Sequence, residues 1–140
     1  MLTTDNLMYL AQSIPNFCGV YSINSLPKLP ASNYSMNPEK KNYNSYIINL
    51  DTDNLSGSHW VAAVDTGQKI ELFDSFGTPP EQLLQSWATK HSCEWTYEPY
   101  VMIQHLDAVT CGYYALIYCL TRPLCKNMKD ALNIISNLNI

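Results

Sequence analysis

A thiol, an imidazole and a carboxylate with the makings of a nucleophilic site stand at Cys111, His59 and Asp74 of this 140-residue chain. A thiol with a pKa of about 8.5 is mostly protonated at neutral pH, so a nucleophilic cysteine needs its thiolate stabilised. Cys111 opens the apolar run CGYYALIYCL, and the start of a helix supplies partial positive charge and unsatisfied amide groups. Gly112 behind it removes a side chain that could block a substrate backbone, and the Cys111 amide could itself face a developing oxyanion. Cys119 lies two turns further along, where burial would leave a thiol inert.

The thiol needs a base, and His59 follows Ser56-Gly57-Ser58 where the strand-like WVAAVD begins. Asp74 closes the next strand signal in LFDSFG. If the two strands pair as a hairpin, both residues lie at its open end, where a carboxylate can fix the tautomer of an imidazole. Gln104 stands seven residues ahead of Cys111, far enough for a loop to aim its amide at an attacked carbonyl oxygen. Gly57, Trp60 and Gly112 are the candidate substrate-binding positions, with Trp60 also readable as core or as packing beside the imidazole. Taken singly, each residue has a plainer reading: Cys111 as core, His59 as a surface or capping group, Asp74 as a turn starter, Gln104 as a strand-end polar residue. The combination is what points to catalysis. His91, at a predicted helix end, and His105, in a loop, are assigned to structure.

The elements that must hold these residues can be read from pattern. Thr3-Thr4-Asp5-Asn6 caps a short helix with Leu7, Leu10 and Ala11 at helical spacing, ended by Pro15. Phe17 to Ser45 reads as a surface loop. Tyr46–Leu50, Trp60–Asp65 and Lys69–Asp74 read as strands of an antiparallel meander, with Asp65-Thr66-Gly67-Gln68 as the turn between the last two. Thr78-Pro79-Pro80-Glu81 has the form of a capping box for a helix with Leu83, Leu84 and Trp87 on its apolar face. Glu94 to Gln104 reads as a strand bent by Pro99, and Cys111 to Leu120 as a helix buried on most sides. Asn127 and Asp130 open a last amphipathic helix with Ala131, Leu132, Ile134, Ile135 and Leu138.

Bulk properties bound the rest. The length fits one domain over residues 1–140, able to bury roughly two-thirds of its unfolded surface. A net charge of −4 gives no reason to expect nucleic acid as a partner. No apolar run approaches the ~18 residues of a membrane span, and the opening segment lacks the charged start of a secretory signal. The five cysteines are odd in number, irregularly spaced and without a CxxC pair, which speaks against zinc and for thiols in a reducing compartment.

SGSHWVAAVD around His59, ELFDSFG around Asp74, and Gln104 followed by TCGYYALIYCL resemble the adenovirus-type cysteine proteases, the adenain family, whose clan also contains the SUMO-specific proteases. The order His, acid, Gln, Cys is that clan's order and the reverse of the papain arrangement. The similarity spans roughly Phe17 to Met128. It implies an α+β fold, with a central, mostly antiparallel sheet packed against a buried nucleophile-bearing helix. It also implies an endopeptidase that matures viral capsid or other structural precursors, often after small residues such as glycine. On that resemblance Cys111 is the nucleophile, His59 the base, Asp74 the orienting acid and Gln104 the oxyanion donor. Asp74 stands where adenoviral members place Glu and SUMO proteases place Asp, so an isopeptidase acting on ubiquitin-like modifiers stays open, as does a catalytically silent scaffold. No cofactor is expected, and DNA, which stimulates adenoviral enzymes, is not expected to act on an acidic chain. Cys93 lies near where adenoviral members bond to an activating peptide, which keeps such a peptide open as a partner. A virophage or virus-like mobile element is the expected source, and the virion or the host-cell interior the expected location.

Overall fold

The computed structural model describes residues 3–29, 43–50, 59–90, 94–98 and 111–138. Its framework is a five-stranded sheet in the order β1-β2-β3-β4-β5, built from Phe17–Ser22, Asn44–Asn49, Trp60–Asp65, Lys69–Phe73 and Glu94–Thr96. The central pairings, β2 with β3 and β3 with β4, are antiparallel, as the meander reading expects. The two edge pairings, β1 with β2 and β4 with β5, are parallel. Four α-helices cover the sheet: α1 (Thr4–Ala11), α2 (Gln82–Thr89), α3 (Cys111–Thr121) and α4 (Met128–Ser136), with a short 3-10 turn over Arg122–Leu124. This is the expected α+β fold.

Both faces of the sheet are covered, which explains why β3 is buried along its whole length and reads as an apolar run without alternation. On one face Ile47, Trp60, Ala62, Val64 and Phe73 pack against Leu7 and Ala11 of α1, Tyr114, Ala115, Tyr118 and Cys119 of α3, and Ala131 and Ile135 of α4. On the other face Tyr46, Ile48, Val61, Ala63, Ile70 and Leu72 meet Leu84, Trp87 and Ala88 of α2. The strand period of two sends alternate side chains to opposite layers, so each strand ties the two cores together.

Helix starts follow local chemistry at both ends of the chain. The Thr3 hydroxyl accepts the Asn6 amide at 3.1 Å while the Asn6 side chain accepts the Thr3 amide at 3.1 Å, a reciprocal cap. Asn127 caps α4 by accepting the Asp130 amide at 2.9 Å. The turn between β3 and β4 closes with the Thr66 amide donating to the Lys69 carbonyl at 3.0 Å, and Gly67 adopts φ of 89° there, in the left-handed region.

Several expectations need correction. Phe17–Ser22 is not loop but strand β1; its register slips between Phe17 and Gly19, and Gly19 sits at φ 139°, so the alternation that marks a strand is broken. The capping box at Thr78 does not form: Glu81 is the N-cap of α2 without a side-chain cap, and the Thr78 hydroxyl donates to Asp74 instead. Leu83 is exposed, and Leu84, Trp87 and Ala88 carry the buried face. Leu10, Ile134 and Leu138, expected on apolar faces, are also exposed. The strand from Glu94 ends at Thr96, and the positions beyond 98 up to Gln104 lie outside the described residues.

Candidate active site

The antiparallel register pairs Ala62 with Phe73, so the residue before β3 and the residue after β4 leave the sheet side by side. Those residues are His59 and Asp74. The His59 carbonyl accepts the Leu50 amide at 3.0 Å, which ties its backbone to the end of β2. Across the hairpin, His59 Nε2 lies 2.9 Å from Asp74 Oδ1. A carboxylate accepts only, so Nε2 carries the proton in this bond and the buried Nδ1 is the nitrogen left to act as a base.

Asp74 is held by its own turn. Its Oδ1 also accepts the Phe76 amide at 2.9 Å, its Oδ2 accepts the Thr78 hydroxyl at 2.5 Å, and its carbonyl accepts the Gly77 amide at 2.8 Å, with Gly77 at φ 73°. Burial pushes the carboxyl pKa up, yet the hydrogen bonds from His59 and Thr78 and the nearby imidazole outweigh it and hold the group below its usual range.

Cys111 is the first residue of α3, 3% exposed, with its sulfur accepting the Trp60 amide at 3.4 Å. Burial disfavours its thiolate, but the contact with His59 and the amides of Trp60 and Gly112 favour it more, so its pKa is lowered. For His59 burial acts against the charged form, and the interactions with Asp74 and Cys111 reverse this, raising its pKa to about 9. The two shifts run in opposite directions, which favours a thiolate beside an imidazolium. By contrast Cys119 is fully buried and burial drives its thiol up to about 12, as an inert core cysteine. Such an ion pair can present sulfur as a nucleophile to an electrophilic carbon and then return a proton to a leaving group.

The structure therefore brings together His59, Asp74 and Cys111, from three separate segments. Gly112 is buried in the first turn of α3. Trp60 is 2% exposed and belongs to the core; it reaches the site through its backbone amide, not as a wall of an open cleft. Gly57 and Gln104 lie outside the described residues, as do Cys93, His91 and His105.

Sequence reasoning missed the residues that brace the site. Phe76 stacks on the His59 ring with centroids 4.6 Å apart and an interplanar angle of 9°. Thr78 and the Phe76 amide complete the shell of Asp74. Behind the site, Glu71 of β4 is buried and accepts Arg122 Nε at 2.6 Å, Arg122 Nη2 at 2.9 Å and the Tyr118 hydroxyl at 2.8 Å. The Tyr118 ring stacks on Phe73, centroids 4.5 Å apart. A signal for this cluster was present: period two puts Glu71 on the same face as Phe73, so a strand covered on both sides required a buried partner for its charge.

No protein-family model matches the chain, and no curated protein matches it. Among solved structures it is similar to the ASFV pS273R protease, with a TM-score of 0.50 and 23% identity over 71% of this chain and 39% of that one. It is also similar to the SUMO protease Ulp1, crystallised with its catalytic cysteine oxidized to a sulfonic acid, with a TM-score of 0.45 and 17% identity over 93% of this chain and 70% of that one. The chain spans about two-fifths of the length of the ASFV protease. At this identity the likeness establishes a shared α+β fold, the fold of a protease.

Proposed function

We propose that this chain is a cysteine peptidase of the adenain type, with Cys111 as nucleophile, His59 as general base and acid, and Asp74 as the group that orients the imidazole. The observation that carries this reading is the 2.9 Å bond between His59 Nε2 and Asp74, with the Cys111 thiol, at a helix start, interacting with the same imidazole. In the reaction, His59 Nδ1 takes the Cys111 proton and the thiolate attacks the scissile carbonyl carbon. The carbonyl π pair moves to oxygen, which the Cys111 amide and the Gln104 side chain stabilise. The role of Gln104 rests on its place seven residues ahead of Cys111 in the sequence. The imidazolium then protonates the leaving amine as the C–N bond breaks. Water, deprotonated by His59, hydrolyses the thioester and regenerates the thiol.

The motif resemblance supports, as substrate class, a viral or virus-like structural precursor cut by endoproteolysis. A second reading, removal of ubiquitin-like modifiers, is favoured by one residue, the aspartate at position 74. Digestion of a peptide library beside a modifier carrying a C-terminal extension separates the two. The endopeptidase reading expects internal cleavage of peptides, and cleavage confined to the modifier would replace it with the second. In either assay Cys111→Ala should lower turnover by about 10³-fold or more. A comparable rate in that variant would end the catalytic assignment.

A further inference from the structure

The turn Asp74–Gly77 presents two different groups to one imidazole. The carboxylate takes the edge at Nε2, and the Phe76 ring lies against the face, nearly parallel at 9° and 4.6 Å. The same residue donates its amide to the oxygen that binds His59, so ring and carboxylate are fixed by one short piece of backbone. Gly77 at φ 73°, with its amide on the Asp74 carbonyl, closes that piece into a rigid turn. A half-buried phenyl packed on half-buried imidazole excludes water from one face of the ring.

We propose that Phe76 is a positioning residue whose ring face favours the imidazolium form of His59 and holds the ring in the plane that joins Asp74 to Cys111. The proposal rests on the catalytic reading of His59 given above. The negative face of an aromatic ring attracts a cation within about 6 Å of its centroid, and the separation here lies well inside that limit. An aliphatic side chain of similar volume would exclude water equally but offer no such face. Among the described residues, the charged and titratable groups that face the imidazole are the Asp74 carboxylate just after β4 and the Cys111 thiol at the start of α3. Both favour the imidazolium, and the phenyl ring acts with them from a third direction. Protonation beyond what the carboxylate alone secures keeps the sulfur as thiolate before substrate arrives.

The test follows His59 directly, by NMR titration of its imidazole carbons in the full reduced chain, with His59→Ala used to identify its signal among the three histidines. Phe76→Leu should lower the His59 midpoint by roughly half a pH unit to one and a half units, while Phe76→Tyr should leave it in place. Phenylalanines of increasing ring fluorination placed at position 76 preserve shape and fold while draining the ring face, and the midpoint should fall stepwise along that series. An unchanged midpoint in Phe76→Leu, an equal fall in Phe76→Tyr, or a flat fluorine series would overturn the proposal. Failure of the catalytic reading would look different: Cys111 would alkylate at an unchanged rate in His59→Ala, whatever the titrations report.

Discussion

At the scale of single residues, the site sets two protons against each other. Cys111 has a lowered pKa and His59 a raised one near 9, so the form with sulfur ionised and imidazole protonated occupies the window between them. Below that window the thiolate gains a proton and loses its nucleophilicity. Above it the imidazole loses the proton that the leaving amine requires. For an amide substrate the rate should rise as pH increases through the lowered cysteine value and fall as it passes about 9, two limbs that belong to the coupled pair. Asp74→Asn removes the carboxylate that helps raise the histidine, so its alkaline limb should move below that of the parent. Its plateau rate should drop by about 10²-fold or more. A pH profile of kcat/KM for both proteins checks this, and coincident alkaline limbs would contradict it.

At the scale of elements, the site depends on a strand and a helix keeping a fixed separation. β4 ends at Phe73, one residue before Asp74, and α3 begins at Cys111, and between these two elements lies the buried cluster of Glu71, Tyr118 and Arg122. Arg122 also donates to the Cys125 carbonyl at 3.0 Å and lies over the Tyr43 ring at 5.2 Å, so the turn after α3 is anchored as well. Removing one partner of a buried pair leaves an uncompensated charge, so Glu71→Gln should destabilise the fold by about 3–5 kcal/mol in denaturant unfolding. Replacing Glu71 and Arg122 together by methionine should recover much of that loss, since the desolvation penalty disappears with both charges. A double variant no more stable than Glu71→Gln would show that the pair itself holds the elements together. This cluster also marks a limit of legibility. The meander β2-β3-β4 and the caps at Thr3 and Asn127 were readable because apolar runs, turn residues and capping side chains are local signals. The partners of Glu71 are 47 and 51 positions away, and no local pattern names them.

At the scale of the whole molecule, the sheet is what gathers residues 15 and 52 positions apart into one site. His59, Asp74 and Cys111 were legible because each sits at the boundary of an element whose period is plain in the sequence. The strand β1 was not, because Cys18 and Gly19 interrupt its alternation at the slip in register. The parallel pairing at both edges was equally hidden, since it joins segments separated by long connections. Phe76 escaped notice for a further reason: a phenylalanine beside an aspartate reads as core until the hairpin places an imidazole against it.

The direct measurement of the central claim is brief alkylation of the native chain by iodoacetamide at neutral pH, with each of the five cysteines mapped by mass spectrometry. If sulfur, imidazole and carboxylate act as one unit, Cys111 should label fast despite its burial and ahead of the exposed Cys18, and His59→Ala should slow it by about 10²-fold or more. Labelling of Cys111 no faster than that of Cys18, or a rate indifferent to His59→Ala, would contradict the account.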